Sequence, residues 1–91
     1  MNKNPLLLEP ILIDQWPKGR ETVQVRLDGY NKRNVIDVRC WYLDDDGNLK
    51  PGRAGITLQI SQLPQLAVAV AKALQTAQSN NIIEDDAPQT Q

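Results

Sequence analysis

The stretch from Asn34 to Leu58, NVIDVRCWYLDDDGNLKPGRAGITL, constrains this chain more than any other. It opens on strict alternation. Ile36, Val38, Cys40 and Tyr42 fall on one side of an extended strand, and Val35, Asp37, Arg39, Trp41 and Leu43 fall on the other. One surplus residue between Arg39 and Tyr42 would exchange the sides of the two rings, so the pattern leaves open which aromatic faces a core. Asp44-Asp45-Asp46-Gly47-Asn48 is a strong turn signal. Lys50-Pro51-Gly52-Arg53-Ala54-Gly55 then sets two cations around a stiff proline and two glycines, leaving backbone accessible to a phosphate. Ile56 and Leu58 point inward from a short fourth strand, with Thr57 pointing the other way.

Upstream, Ile11-Leu12-Ile13 between Pro10 and Pro17 reads as a short first strand with Trp16 near its end. A turn follows at Lys18-Gly19. From Thr22 to Leu27 the alternation is clean, with Val23, Val25 and Leu27 on one face and Thr22, Gln24 and Arg26 on the other, so a polar side is left available. Asp28 to Asn34 holds hairpin-turn chemistry, Gly and Asn accepting positive φ, with the basic pair Lys32 and Arg33 at its tip.

From Ser61 to Ala77 the period changes from two to 3.6. Ile60, Leu63, Leu66, Ala67, Val70, Ala71, Leu74 and Ala77 share one helical face, and Gln62, Gln65, Lys72 and Gln75 lie off it. Ser61 is placed to cap this helix, and Pro64 falls at its third position, where a missing N–H costs little. The apolar arc exceeds the roughly 100° stripe that packing on one sheet requires, and Val68 lies outside even that arc. Leu63, Leu66, Val70 and Leu74 are accordingly expected to meet a partner subunit. The reading divides the chain into an N-terminal arm (1–9), loosely held, one domain (10–78) and an acidic tail (79–91) that carries −3 from Glu84, Asp85 and Asp86 and is expected to be disordered.

Composition sets the outer limits. Ninety-one residues make one small domain that would gain stability from a second copy. The single Cys40 has no partner for an intrachain disulfide, and with no His anywhere neither a zinc site nor any other metal or cofactor site is indicated. A reducing cytoplasm is the expected location. Pro5-Leu6-Leu7-Leu8 is too short for a signal sequence or a membrane span. The formal net charge is −1, but from Lys18 to Arg53 eight bases (Lys18, Arg20, Arg26, Lys32, Arg33, Arg39, Lys50, Arg53) face six acids (Glu21, Asp28, Asp37, Asp44, Asp45, Asp46), a balance of +2. Three of those acids sit in one turn. If that turn projects away, the remaining surface is basic, which suits phosphate binding.

Enzymatic chemistry is poorly provided for: there is no His, no nucleophile beside a base, and one acid cluster, in a turn. Asp44, Asp46 and Asn48 have the spacing that opens a calcium loop, but the required glycine would fall at Leu49 and the bidentate acid at Gly55. No Walker pattern is present.

The series Ile36-Asp37-Val38-Arg39, an aromatic pair, Leu43-Asp44, Gly47, Lys50-Pro51-Gly52-Arg53 and Gly55-Ile56-Thr57-Leu58, followed by a helix, resembles the core of the transcriptional Positive Cofactor Four family. These are single-stranded-DNA-binding coactivators with bacterial and phage relatives. The likeness runs from about Lys18 to Leu66. It implies an α+β fold, a four-stranded curved antiparallel sheet followed by one C-terminal helix, in a homodimer whose helices form much of the contact. It implies that Arg39, Tyr42, Lys50 and Arg53, with Tyr30 and Arg33 of the hairpin, belong to a DNA surface. Tyr42 corresponds to the family's stacking Trp, and Trp41 takes the neighbouring Tyr's place. Glu21 stands where relatives often carry a base, with Lys18 and Arg20 compensating, while Arg26 and Lys32 complete the basic set. The implied partners are single-stranded or melted DNA, RNA as the nearest alternative, a second copy of the chain, and transcription or replication proteins. A module that docks to polymerase or recombination proteins is the competing class.

Overall fold

The computed structural model describes residues 5–83, and the acidic stretch from Glu84 onward lies outside them. Four strands run antiparallel in chain order: β1 (Ile11–Lys18), β2 (Glu21–Tyr30), β3 (Arg33–Leu43) and β4 (Leu49–Gln59). A 3-10 turn (Ile60–Gln62) and the helix α1 (Leu63–Ser79) follow. This is the α+β order expected from the change of period. The open curved sheet, in a unit that ends at Ile60, and the helical segment from Ser61 onward are separate compact units. No helix among the described residues is long and apolar enough to cross a membrane.

The β2–β3 pairing is unbroken from Thr22↔Trp41 to Tyr30↔Arg33, so one register fixes the faces of both central strands. Val23, Val25 and Leu27 lie opposite Cys40, Val38 and Ile36, and in the β3–β4 ladder Ile36 and Val38 meet Leu58 and Ile56. Val23, Ile36 and Cys40 on this face are buried, Ile56 is still 46% exposed, and Val35 is buried on the opposite face. Asn31 and Lys32 form the two-residue turn between β2 and β3, both at positive φ (52° and 64°), as a hairpin twisted to match its strands requires.

Both outer strands depart from the sequence reading. β1 runs on through Pro17 to Lys18, past the short strand expected to end near Trp16, with a one-residue bulge between Leu12 and Asp14. A single surplus residue reverses everything after it. Ile11 opposes Leu27 before the bulge, and Trp16 opposes Val23 after it, which keeps both on the apolar face. Pro17 is tolerated because β1 lies at the edge of the sheet. The Lys50–Gly55 segment, which precedes the short fourth strand expected at Ile56 and Leu58, is itself strand. β4 begins at Leu49, and its ladder with β3 skips from Arg39↔Gly55 to Trp41↔Pro51, so three residues of β4 oppose Cys40 alone. The surplus is two, an even number, and β3's own alternation survives it.

The arm and the helix cap also differ from expectation. Instead of being loosely held, the chain at Pro5 and Leu7 is gripped by one side chain. Asn34 accepts from the Leu7 N–H (2.9 Å) and donates to the Pro5 carbonyl (2.8 Å). Gly29 permits the approach, since a Cβ there would lie 2.5 Å from the Leu7 carbonyl oxygen. Ser61 falls in the 3-10 turn, so the N-cap is Gln62, without a side-chain hydrogen bond, and Pro64 occupies the second helical position. At the other end, Asn81 at φ 60° reverses the chain. Its N–H donates to the Gln78 carbonyl (3.1 Å) and that of Ile82 to the Ala77 carbonyl (3.0 Å), which satisfies carbonyls the helix leaves open.

Candidate nucleic-acid interface

The register that buries Val23, Ile36 and Cys40 sends the intervening residues to the other face. There they line a groove of about 510 Å³. β2 contributes Arg26, Asp28 and Tyr30, β3 contributes Val35, Asp37, Arg39 and Trp41, and β4 contributes Pro51 and Thr57. The question left open by alternation is thereby answered: Trp41 lies on the groove face beside Arg39. Tyr42 lies on the reverse, opposite Lys50 and 43% exposed. The arrangement gathers Arg26, Tyr30, Arg39 and Trp41, and places Tyr42 and Lys50 apart from them.

Arg39 is the most heavily bonded side chain of the groove. Its Nε donates to both Asp37 oxygens (3.2 Å each), and one terminal nitrogen donates to Asp37 Oδ1 (2.9 Å) and to Thr57 Oγ1 (2.9 Å). The other terminal nitrogen reaches the Gly52 and Arg53 carbonyls at 3.1 and 3.3 Å. Thr57 in turn donates to Asp37. The Asp37 hydrogen bonds raise the guanidinium pKa above its ordinary value. Gly55, facing Arg39 across the ladder, makes room for this network. A Cβ at position 55 would fall 2.6 Å from the Val38 carbonyl oxygen and 2.9 Å from the Arg39 Cβ. Arg39 therefore holds the β4 bulge in shape, with its charge balanced by Asp37. Sequence reasoning gave Arg39 only a phosphate role, although Asp37 and Arg39, two apart on a strand, must share a face.

Arg26 has a different environment. Its Cζ lies 4.6 Å from the centre of the Trp41 ring, a cation stacked on the most favourable aromatic for that contact. Among the described residues no carboxylate pairs with Arg26, and its Nε and the Trp41 Nε1 are buried without a hydrogen-bond partner. Asp37 faces Arg26 across the ladder but is engaged by Arg39 and Thr57. Gln24, next to Arg26 on the same face, is buried and donates to Gln15 at 3.0 Å.

The other bases lie at the ends of the sheet. Lys18 and Arg20 flank the β1–β2 turn, and Lys32 and Arg33 lie at the β2–β3 turn, at the other end of β2 and roughly 30 Å away at the usual rise per residue. Tyr30, 63% exposed, pairs with Arg33 at that far end. Lys50 reaches Asp44 at 3.4 Å, and Arg53 projects from the bulge, exposed. The triple-aspartate turn is organised by Asp44, whose Oδ1 accepts from the Asp46 and Asn48 N–H groups at 2.9 Å each.

A curved antiparallel sheet with one apolar face and one polar, aromatic-bearing groove face, followed by a helix, defines a class of small α+β proteins. The family model described as Transcriptional Coactivator p15 (PC4) matches residues 16–69, more than half of the sequence, and the chain belongs to that family. The crystal structure of a PC4 homologue from Burkholderia pseudomallei K96243 has the same fold. Its TM-score is 0.61 at 24% identity, over 71% of this chain and 97% of that one. A bacteriophage T5 homologue of the eukaryotic transcription coactivator PC4, implicated in recombination-dependent DNA replication, matches with TM-score 0.61 at 18% identity, over 81% of this chain and 82% of its own.

Proposed function

We propose that this chain binds single-stranded DNA without sequence preference, as a cytoplasmic homodimer with no catalytic role, and serves transcription regulation or DNA replication, recombination and repair. The observation that carries the reading is the groove face. Trp41 under Arg26 and the exposed Tyr30 lie along one channel, with Arg33, opposite Tyr30, at one end of it. Unpaired strands expose base faces that stack on such groups, while cations follow the phosphates without reading sequence. A duplex hides those faces. The family and the phage relative's link to replication favour the same ligand.

The helix supports the second half of the reading. Val68, Val70 and Leu74 are 49%, 58% and 41% exposed, and no residue of α1 is buried. Apolar surface of that kind on a small protein suits a subunit contact.

Titration of labelled single-stranded and duplex oligonucleotides at two salt concentrations, with mass measured in parallel, tests both halves. Expected are a strong single-strand preference, affinity falling steeply with salt, and a mass twice that of the chain. Equal affinity for the duplex would overturn the stacking mechanism. A competing RNA of matched sequence, if it displaced the DNA at equal concentration, would redirect the reading to nucleic-acid single strands in general.

A further inference from the structure

We propose that Arg26 and Trp41 form a two-tier platform whose outer tier, the guanidinium plane of Arg26, receives an unpaired nucleobase. The inference rests on the single-strand reading above and specifies how one base is held. The groove carries two arginines in contrasting states. Arg39 has its donors engaged by Asp37, Thr57 and two carbonyls, so neither its charge nor its plane is free. Arg26 lies over the indole with no carboxylate paired to it among the described residues, and it lines the groove. Because the guanidinium lies over the ring and both line the groove, a base that enters beside Trp41 meets the cation stacked there.

The chemistry of the stack favours a base over a phosphate at this point. A guanidinium is flat and weakly hydrated, so a second π system can lie on its open face while the indole holds the first. Arg26 also leaves its Nε buried and unpartnered to keep this posture, as does Trp41 with its Nε1. A cation required only for phosphates has no need of that geometry, since it would serve as well with its nitrogens turned to water. Asp28, beside Arg26 in the groove and without a basic partner among the described residues, also disfavours a phosphate there. A lysine would keep the charge and lose the plane.

The test uses the full chain and two probes of equal length and charge, an oligothymidylate and an abasic oligonucleotide. The variants are Arg26→Lys, Trp41→Leu and the two combined. Arg26→Lys is expected to weaken thymidylate binding about tenfold, the scale of one stacked base, and to leave abasic binding and its salt slope unchanged. Trp41→Leu is expected to do the same, and the combined variant to be no weaker than the weaker single one, because the two tiers act as one. An Arg26→Lys protein that binds thymidylate as the parent does overturns the platform. So does an equal loss on both probes, or losses that multiply in the combined variant. In those cases the single-strand reading stands as long as the parent still prefers thymidylate to the abasic probe and to duplex. If the parent shows neither preference, that reading falls and the platform with it.

Discussion

The sheet and the helix of this chain meet the same requirement, the covering of apolar side chains, to very different degrees. In the sheet, Val23, Val35, Ile36 and Cys40 are buried, and Asp37, Arg39 and Thr57 of the groove face bond to one another. In the helix, no residue is buried, and Val68 and Val70 are about half exposed. The difference lies in what each element can satisfy locally. A strand's backbone is completed by its neighbours, and β2 and β3 each have two. A helix satisfies its own backbone but cannot cover its own apolar face. The sheet thus carries the groove on a frame it builds itself, while the helix leaves apolar surface that the proposed second chain would cover.

The largest effect should come from removing what the helix offers. Val70→Asp combined with Leu74→Asp is expected to halve the mass in solution and to lower stability by several kcal/mol, about 1.5–3 kcal/mol for each apolar side chain no longer buried in the dimer. Lys72→Glu, on the polar side of the same helix, should leave the mass unchanged. Analytical ultracentrifugation with thermal unfolding checks both. An unchanged mass in the double variant would mean that the helix is not the contact, and the contrast between the two units would lose its meaning.

Within the sheet, the next largest effect belongs to Gly55. Gly55→Val places a side chain against the Val38 carbonyl and the Arg39 Cα, at 2.6 and 2.8 Å for the Cβ alone. Because the obstacle is backbone, relief requires β3 and β4 to separate, at a cost of about 2–3 kcal/mol, read as a lower denaturant midpoint. Asp37→Asn should have a smaller and divided effect. Arg39 loses its ionic partner, and since both side chains are roughly a fifth exposed the cost is about 1–2 kcal/mol. The same change releases a cation into the groove, so single-stranded DNA should bind more tightly, with a salt slope steeper by about 0.7. Stability and affinity moving in opposite directions is the signature to look for. A parallel loss of both would show that Arg39 needs Asp37 in order to bind.

Much of this was legible in the sequence, and the limits have identifiable causes. Clean alternation fixed the faces of Thr22–Leu27 and of β3, and the change to a 3.6 period located the helix. The bulges were not legible. Nothing in Ile11-Leu12-Ile13-Asp14 announces the surplus residue that turns Trp16 onto the apolar face, because a bulge is decided by pairing with β2 and leaves no composition mark. The fourth strand was expected only around Ile56 and Leu58, but an edge position and a two-residue surplus accommodate Pro51, Gly52 and Gly55 within it as well. Of the site, the basic residues and both rings could be named in advance. That Arg39 is neutralised and Arg26 stacked depends on where two long side chains settle, and only the first had a signal, the shared parity of Asp37 and Arg39.

The smallest expected effect lies outside both surfaces, in the turn that joins β3 to β4. Hydrogen bonds to Asp44, foremost from the Asn48 N–H, with further contributions from Lys50 and the Asp46 and Gly47 N–H groups, hold its carboxyl below the ordinary carboxylate value of 3.8. A carboxylate that binds protons less readily folded than unfolded adds stability above its unfolded pKa, and that contribution disappears as pH falls through its folded value. Asp44→Ala should therefore lower the thermal midpoint slightly at neutral pH, and the difference from the parent should close on acidification below about pH 4, the usual range for aspartate. Because Lys50 is bound to Asp44 and half exposed, the same variant also frees a cation at one end of the sheet. A small gain in single-strand affinity at neutral pH, without the stability loss of Asp37→Asn, would separate cations that hold the sheet together from those that merely border it.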